Sequence, residues 1–201
     1  SLGSDIGGSL RVPAFHCGVY AHKPTYALAP SRGHTPPPFP PLPLDRDLAV
    51  IGPMARCAAD LSLLLDVIAG PDPLEAGKAY RLELPAPRHT TLREFRVIVI
   101  DTDPVMPTDS VVRGSIEKLA GKLGRAGARI ERHSELLPDF SGSTGLYMRM
   151  LMSFLSASFP ADVYAGAQAA AQAIPPGDTS LGAERLRGIA MSHRYWVLAD
   201  C

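Results

Sequence analysis

Thiol chemistry is scarce in this chain. Cys17, Cys57 and Cys201 are the only cysteines in 201 residues, and no two of them stand in a CxxC spacing. An odd count without that spacing argues against the disulfide framework of small secreted domains and against a cysteine-rich zinc site. A reducing, cytosolic compartment is the simplest expectation. His16, His22, His34, His89, His133 and His193 fall in no HxxxH or similar ligand spacing, so no metal site is expected. Net charge is missing as well. Twenty Lys plus Arg offset twenty Asp plus Glu, which removes the long-range field that draws nucleic acid or anionic membrane. A neutral or amphipathic small substrate suits such a surface better. No apolar run reaches the roughly 18 residues a membrane helix needs, and the N-terminus lacks the charged and apolar regions of a signal peptide. No cofactor, no nucleic acid and no membrane are expected as partners, while a homodimer stays open.

The 46% of hydrophobic residues is ample for a buried core. A single domain of α/β class is expected, a mixed sheet core flanked by helices. Ser1 opens within a glycine-rich motif and Cys201 closes a helical pattern without a stop signal, so the chain reads as an internal segment. Residues 1–35, rich in Gly and turn formers, suggest loops and short strands carrying a site. The run Thr35 to Leu44 holds Pro36, Pro37, Pro38, Pro40, Pro41 and Pro43, which favours a stiff polyproline surface loop over helix or central strand. From Asp60 the pattern turns helical. Leu61, Leu64, Leu65 and Ile68 repeat at i, i+3, i+4 and i+7, with Gly70 as the stop and Pro71 beyond.

Arg96 to Ile100 is a short β-branched apolar run that predicts a buried strand. Asp109 is placed to cap a helix with Val112, Ile116, Leu119, Ala120 and Leu123 inward, ending near Gly124 to Gly127, and a strand resumes over Ala128 to Arg132. Strand, helix and strand in that order make a βαβ unit with parallel strands. The remainder reads as helical: Leu146 to Ser156, a segment opened by Pro160 and continued by Ala165 to Ala173, and a last helix from Leu181 with Leu186, Ile189, Ala190, Trp196 and Val197 on one side.

Gly7-Gly8-Ser9 sets a hydroxyl after two residues without side chains, so the backbone there can adopt unusual dihedrals and approach a ligand closely. Consecutive amides in such a turn can converge on one anion. If Ser9 attacks a carbonyl, those amides stand where the oxyanion develops. The spacing is neither GxGxxG nor GxxxxGK[ST], which argues against a phosphate loop, and no GxSxG elbow occurs. Asp5 and Arg11 flank the loop and suit bracing it, with a plain surface ion pair as the alternative. Cys17 is expected to be small and buried, and Met148, Met150, Met152 and Phe154 to be core or pocket wall.

A longer pattern surrounds these residues. Gly3-Ser4-Asp5-Ile6-Gly7-Gly8-Ser9-Leu10-Arg11, then Pro13-Ala14, Cys17-Gly18 and His22-Lys23-Pro24-Thr25, together with Asp47 to Arg56 and Asp60-Leu61, resembles the amidase signature family in order and spacing. Leu84-Pro85 and the predicted strand and helix after Phe95 also stand where that family has them. The resemblance implies a partial amidase signature domain over residues 1–201, whose parent hydrolyses a carboxamide to the acid and ammonia or amine through a serine acyl-enzyme. It implies Ser9 as nucleophile and the backbone amides of Ile6, Gly7, Gly8 and Ser9 as the oxyanion hole. In that family the base is a lysine acting through a second serine, both expected before Ser1; Lys23 and Ser4 are neither. The segment alone is therefore expected to be nearly inert. Two alternatives stand beside this reading: a glutaminase-type subunit of a tRNA-dependent amidotransferase, and a non-catalytic relative serving as a binding or structural module. The wording around His22 and Arg32-Gly33-His34 favours a stand-alone amidase.

Overall fold

The computed structural model describes residues 1–34, 48–72, 74 and 82–192. The proline-rich run, Asp47, His193, Trp196, Val197 and Cys201 lie outside the described residues. The chain divides into two compact units, Ser1–Leu84 and Pro85–Cys201.

The first unit is built on a three-stranded sheet. Its strands are β1 (Leu2–Asp5), β2 (Tyr20–Ala21) and β3 (Val50–Ala55), ordered β1-β3-β2 with both pairings antiparallel. Between β1 and β2 runs a short helix, α1 (Arg11–Cys17), and after β3 comes α2 (Ala58–Ile68). The expectation of loops and short strands over residues 1–35 is corrected by α1. Pro13 falls in the first turn of that helix, where its missing N–H leaves no bond unmade. Gly18, at φ 65°, ends the helix and returns its amide to the Ala14 and Phe15 carbonyls. Strand β3 is the other surprise, because Gly52-Pro53 within a run argues against a central strand. The Pro53 carbonyl accepts the His22 amide at 3.0 Å, but Pro53 has no N–H to return a bond, so pairing with β2 stops there. On α2 the expected Leu61, Leu64, Leu65 and Ile68 are the half-buried stripe, while Leu63 and Val67 face out.

The second unit begins with a 3-10 turn at Leu92–Glu94 and β4 (Arg96–Ile98), then α3 (Ser110–Arg125) and β5 (Arg129–Glu131). β4 and β5 are parallel, Val97 opposite Ile130, which is the βαβ unit expected from the sequence. Asp109 caps α3 by accepting the Val111 amide at 2.8 Å. The strand stops two residues earlier than predicted, since β5 offers its last acceptor, the Glu131 carbonyl, to Val99. Leu119, expected inside, is 57% exposed.

Three helices complete the unit: α4 (Phe140–Leu155), α5 (Ala161–Gln172) and α6 (Leu181–Ser192). Asp139 opens α4 by accepting the Ser141 and Gly142 amides. A Cβ on Gly188 of α6 would stand 2.4 Å from the Arg149 carbonyl oxygen of α4, so a glycine is what lets these two helices approach. Beneath that contact Glu184 is almost fully buried and accepts from Arg149 Nε and Arg187 Nη1, each at 2.6 Å. The hydrogen bond from Arg149, set against burial and helped by Arg187, holds the Glu184 carboxyl below its ordinary range. Met150, expected with its neighbours as core or pocket wall, is exposed.

Candidate functional site

The loop Ile6 to Leu10 leaves β1 and enters α1, so its shape is set where a strand becomes a helix. Leu10 has no exposed surface. Its side chain seats over the two sheet glycines: a Cβ on Gly3 would stand 3.0 Å from Leu10 Cδ2, and one on Gly52 2.7 Å from Leu10 Cδ1. At φ 112° Gly8 occupies backbone space that side chains rarely enter. The Gly8 carbonyl accepts the Val12 amide at 2.7 Å, which starts the helical turn two residues before α1 proper.

Asp5, the last residue of β1, has no exposed surface either. Its Oδ1 accepts the Gly8 amide at 2.8 Å, and its Oδ2 accepts the Leu10 amide at 3.1 Å and the Arg11 amide at 3.4 Å. The Arg11 guanidinium closes the arrangement with Nε on Oδ2 and Nη2 on Oδ1, both at 3.0 Å. Burial by itself would raise the Asp5 pKa. The hydrogen bonds from Arg11, Gly8 and Leu10 outweigh it and hold the carboxyl well below the usual carboxylate range. A plain surface ion pair is thus not what Asp5 and Arg11 form, although Arg11 is more than half exposed.

Ser9 is exposed at the crest of this loop. Among the described residues no side chain hydrogen-bonds its hydroxyl, and the Gly7 and Ser9 amides have no acceptor. Of the four amides expected to converge, the Gly8 N–H is donated to Asp5 Oδ1. Lys23 is exposed in the segment after β2. His16 is exposed and packs edge-on against Phe15, with ring centroids 5.3 Å apart. Cys17, expected buried, is exposed. It lines a concavity of about 650 Å³ with Pro13, Val19, Met54, Leu63 and Leu64. Ser9 is not among the residues that line that concavity.

One contact has no signal in the sequence. His34 Nε2 lies 2.8 Å from Ser4 Oγ, joining a turn and a strand that are 30 residues apart. The partner of His34 cannot be read from local pattern.

An exposed serine thus stands on a glycine-lined loop between strand and helix, beside a buried Asp5 carboxylate paired with an exposed Arg11. Residues 1–189 match the Amidase family model, and the chain belongs to that family. It is similar to a glutamyl-tRNA(Gln) amidotransferase subunit of Archaeoglobus fulgidus, 49% identical over 86 residues, which is 41% of this chain and 17% of that protein. The same subunit from Thermus thermophilus is 51% identical over 76 residues, 38% of this chain and 15% of the relative. The one from Deinococcus deserti is 36% identical over 155 residues, 76% of this chain and 29% of the relative. The chain thus spans under a third of the length of these relatives. Among the described residues no helix is long and apolar enough to cross a membrane.

Proposed function

We propose that Ser9 is the nucleophile of a cytosolic enzyme that hydrolyses a carboxamide through an acyl-enzyme. The observation that carries this is the loop itself: an exposed hydroxyl beside the Gly7 and Ser9 amides, held in shape by Asp5 and Arg11. Ser9 Oγ attacks the amide carbonyl as its proton passes to a base, and the carbonyl oxygen becomes an oxyanion facing the Gly7 and Ser9 N–H groups. Collapse breaks the C–N bond and releases ammonia or amine, which takes the proton. Water then cleaves the acyl-enzyme to the acid and restores Ser9. A hydroxyl is a weak nucleophile without a base, and the family resemblance assigns that task to a lysine and a bridging serine outside these 201 residues. The 201-residue segment by itself is accordingly expected to be nearly inert.

The relatives' names favour the amidotransferase component over the stand-alone amidase preferred from the sequence. On that reading the amide is that of glutamine, the product ammonia passes to a second active site, and partner subunits and tRNA are required. Labelling the complete protein with a fluorophosphonate and mapping the modified peptide tests the shared chemistry. The label is expected on Ser9, with Ser9→Ala abolishing both label and turnover; label elsewhere, or turnover retained, overturns the assignment. Ammonia release from glutamine, compared with simple aliphatic and aromatic amides, separates the two finer readings. Glutamine turnover with co-purifying subunits supports the first, and turnover of simple amides by the protein alone supports the second.

A further inference from the structure

We infer that His34 is a positioning residue for the serine loop, acting through Ser4. Side chains of adjacent strand residues point to opposite faces, and the end of β1 is gripped on both. Asp5 reaches into the loop and collects the Gly8, Leu10 and Arg11 amides. Ser4, opposite Ile51 of β3, meets His34 Nε2 at 2.8 Å, one group donating to the other. Both partners are half-buried, so the bond is partly shielded from competing water.

His34 is itself held. Its amide donates to the Ser31 carbonyl at 2.9 Å in a turn that Gly33 permits with φ 81°. Next to Gly33, Arg32 Nε pairs with Asp72 Oδ2 at 2.5 Å, and the Gly70 amide donates to the Leu28 carbonyl at 2.9 Å. Together these bonds tie the turn to the segment that follows α2. The imidazole therefore fixes the exit of β1 from outside the loop, and with it the direction in which the Asp5 carboxylate presents itself to the loop amides. A misplacement of about 1 Å at a nucleophile lowers turnover on the order of a hundredfold, so a residue that touches no substrate can still govern kcat.

The test uses the complete protein and two readouts. In hydrogen–deuterium exchange, His34→Ala is expected to speed exchange of the peptide spanning residues 5–11 about tenfold, with the α2 peptide unchanged. This arm needs no turnover, so it stands even if the acyl-enzyme reading on which the kinetic arm rests is wrong. In kinetics, His34→Ala is expected to lower kcat about tenfold with KM within about twofold. His34→Gln is expected to recover most of the loss, because its amide nitrogen reaches the place of Nε2. Ser4→Ala is expected to reproduce the loss, and the double variant to be no worse than either single one. Should His34→Ala not fold, Ser4→Ala and His34→Gln decide by the same two measurements. Unchanged exchange of the 5–11 peptide in the variants that remove the bond overturns the inference, as do kinetic losses that add in the double variant.

Discussion

A carboxylate with no exposed surface is costly unless several donors meet it, and Asp5 meets three backbone amides and the Nε and Nη2 groups of Arg11. The shape of the loop depends on that one acceptor. Asn at this position keeps the volume but turns one acceptor oxygen into a donor, setting N–H against N–H at either Gly8 or the Leu10 and Arg11 side. Asp5→Asn is expected to cost about 2–3 kcal/mol in denaturant unfolding, in line with hydrogen bonds to a charged group. If Ser9 is the nucleophile, the same change is expected to lower kcat about a hundredfold, because a displaced nucleophile forfeits its alignment. Unchanged stability in this variant would show that the loop holds its form without the carboxylate. That Asp5 and Arg11 would hydrogen-bond to the loop backbone or to each other was legible from their places flanking Gly7-Gly8-Ser9. The capture of the Gly8 amide was not, because it depends on which way one peptide plane faces.

At the level of elements, the glycines of β3 and α3 stand in opposite surroundings. In β3, a Cβ on Gly52 would stand 2.2 Å from the His22 carbonyl oxygen, 2.7 Å from Leu10 Cδ1 and 2.9 Å from Pro24 Cδ. Two of these neighbours are backbone or ring and cannot swing aside. Gly52→Ala is expected to destabilise the protein by about 3 kcal/mol or more through overpacking. In α3, a Cβ on Gly114 meets nothing within 4 Å, and Gly114→Ala is expected to stabilise by about 0.5–1 kcal/mol through lower backbone entropy in the unfolded chain. Thermal melts of the two variants check the contrast, and equal shifts would contradict it. Helices α2 and α3 were legible because a 3.6-residue period and a capping Asp are local signals. Helix α1 and strand β3 were not. Pro13 and Gly52-Pro53 look like breakers until the first-turn position of one and the one-sided pairing of the other are known.

For the whole molecule, acid is the informative perturbation, because among the described residues each unit buries one carboxylate, Asp5 in the first and Glu184 in the second. Both have folded pKa values depressed below their ordinary ones. In the unfolded chain such groups protonate near pH 4, at about 3.9 for Asp and 4.3 for Glu. Above that pH the unfolded state gains no extra protons and the stabilisation is complete. As pH falls below it, the unfolded state takes up protons that the folded state refuses, so stability declines toward the depressed folded values. Melting temperature followed by circular dichroism is expected to be flat, as far as these two groups contribute, from pH 7 to about pH 5 and to drop below about pH 4. Asp5→Asn and Glu184→Gln are each expected to flatten the drop; a slope unchanged in both variants would assign the acid sensitivity to other groups.

The family, the α/β class, the serine loop and most helix faces follow from the sequence alone. Each is carried by residues within a few positions of one another, where spacing and side-chain type are sufficient. Only the tertiary structure decided what surrounds Ser9. Strand β3, more than forty residues away, supplies the glycine over which Leu10 seats, and the carboxylate of Asp5 claims the Gly8 amide. His34 reaches back to Ser4 across 30 residues. These contacts depend on chain segments meeting in space, and no local pattern encodes the direction from which a distant group arrives.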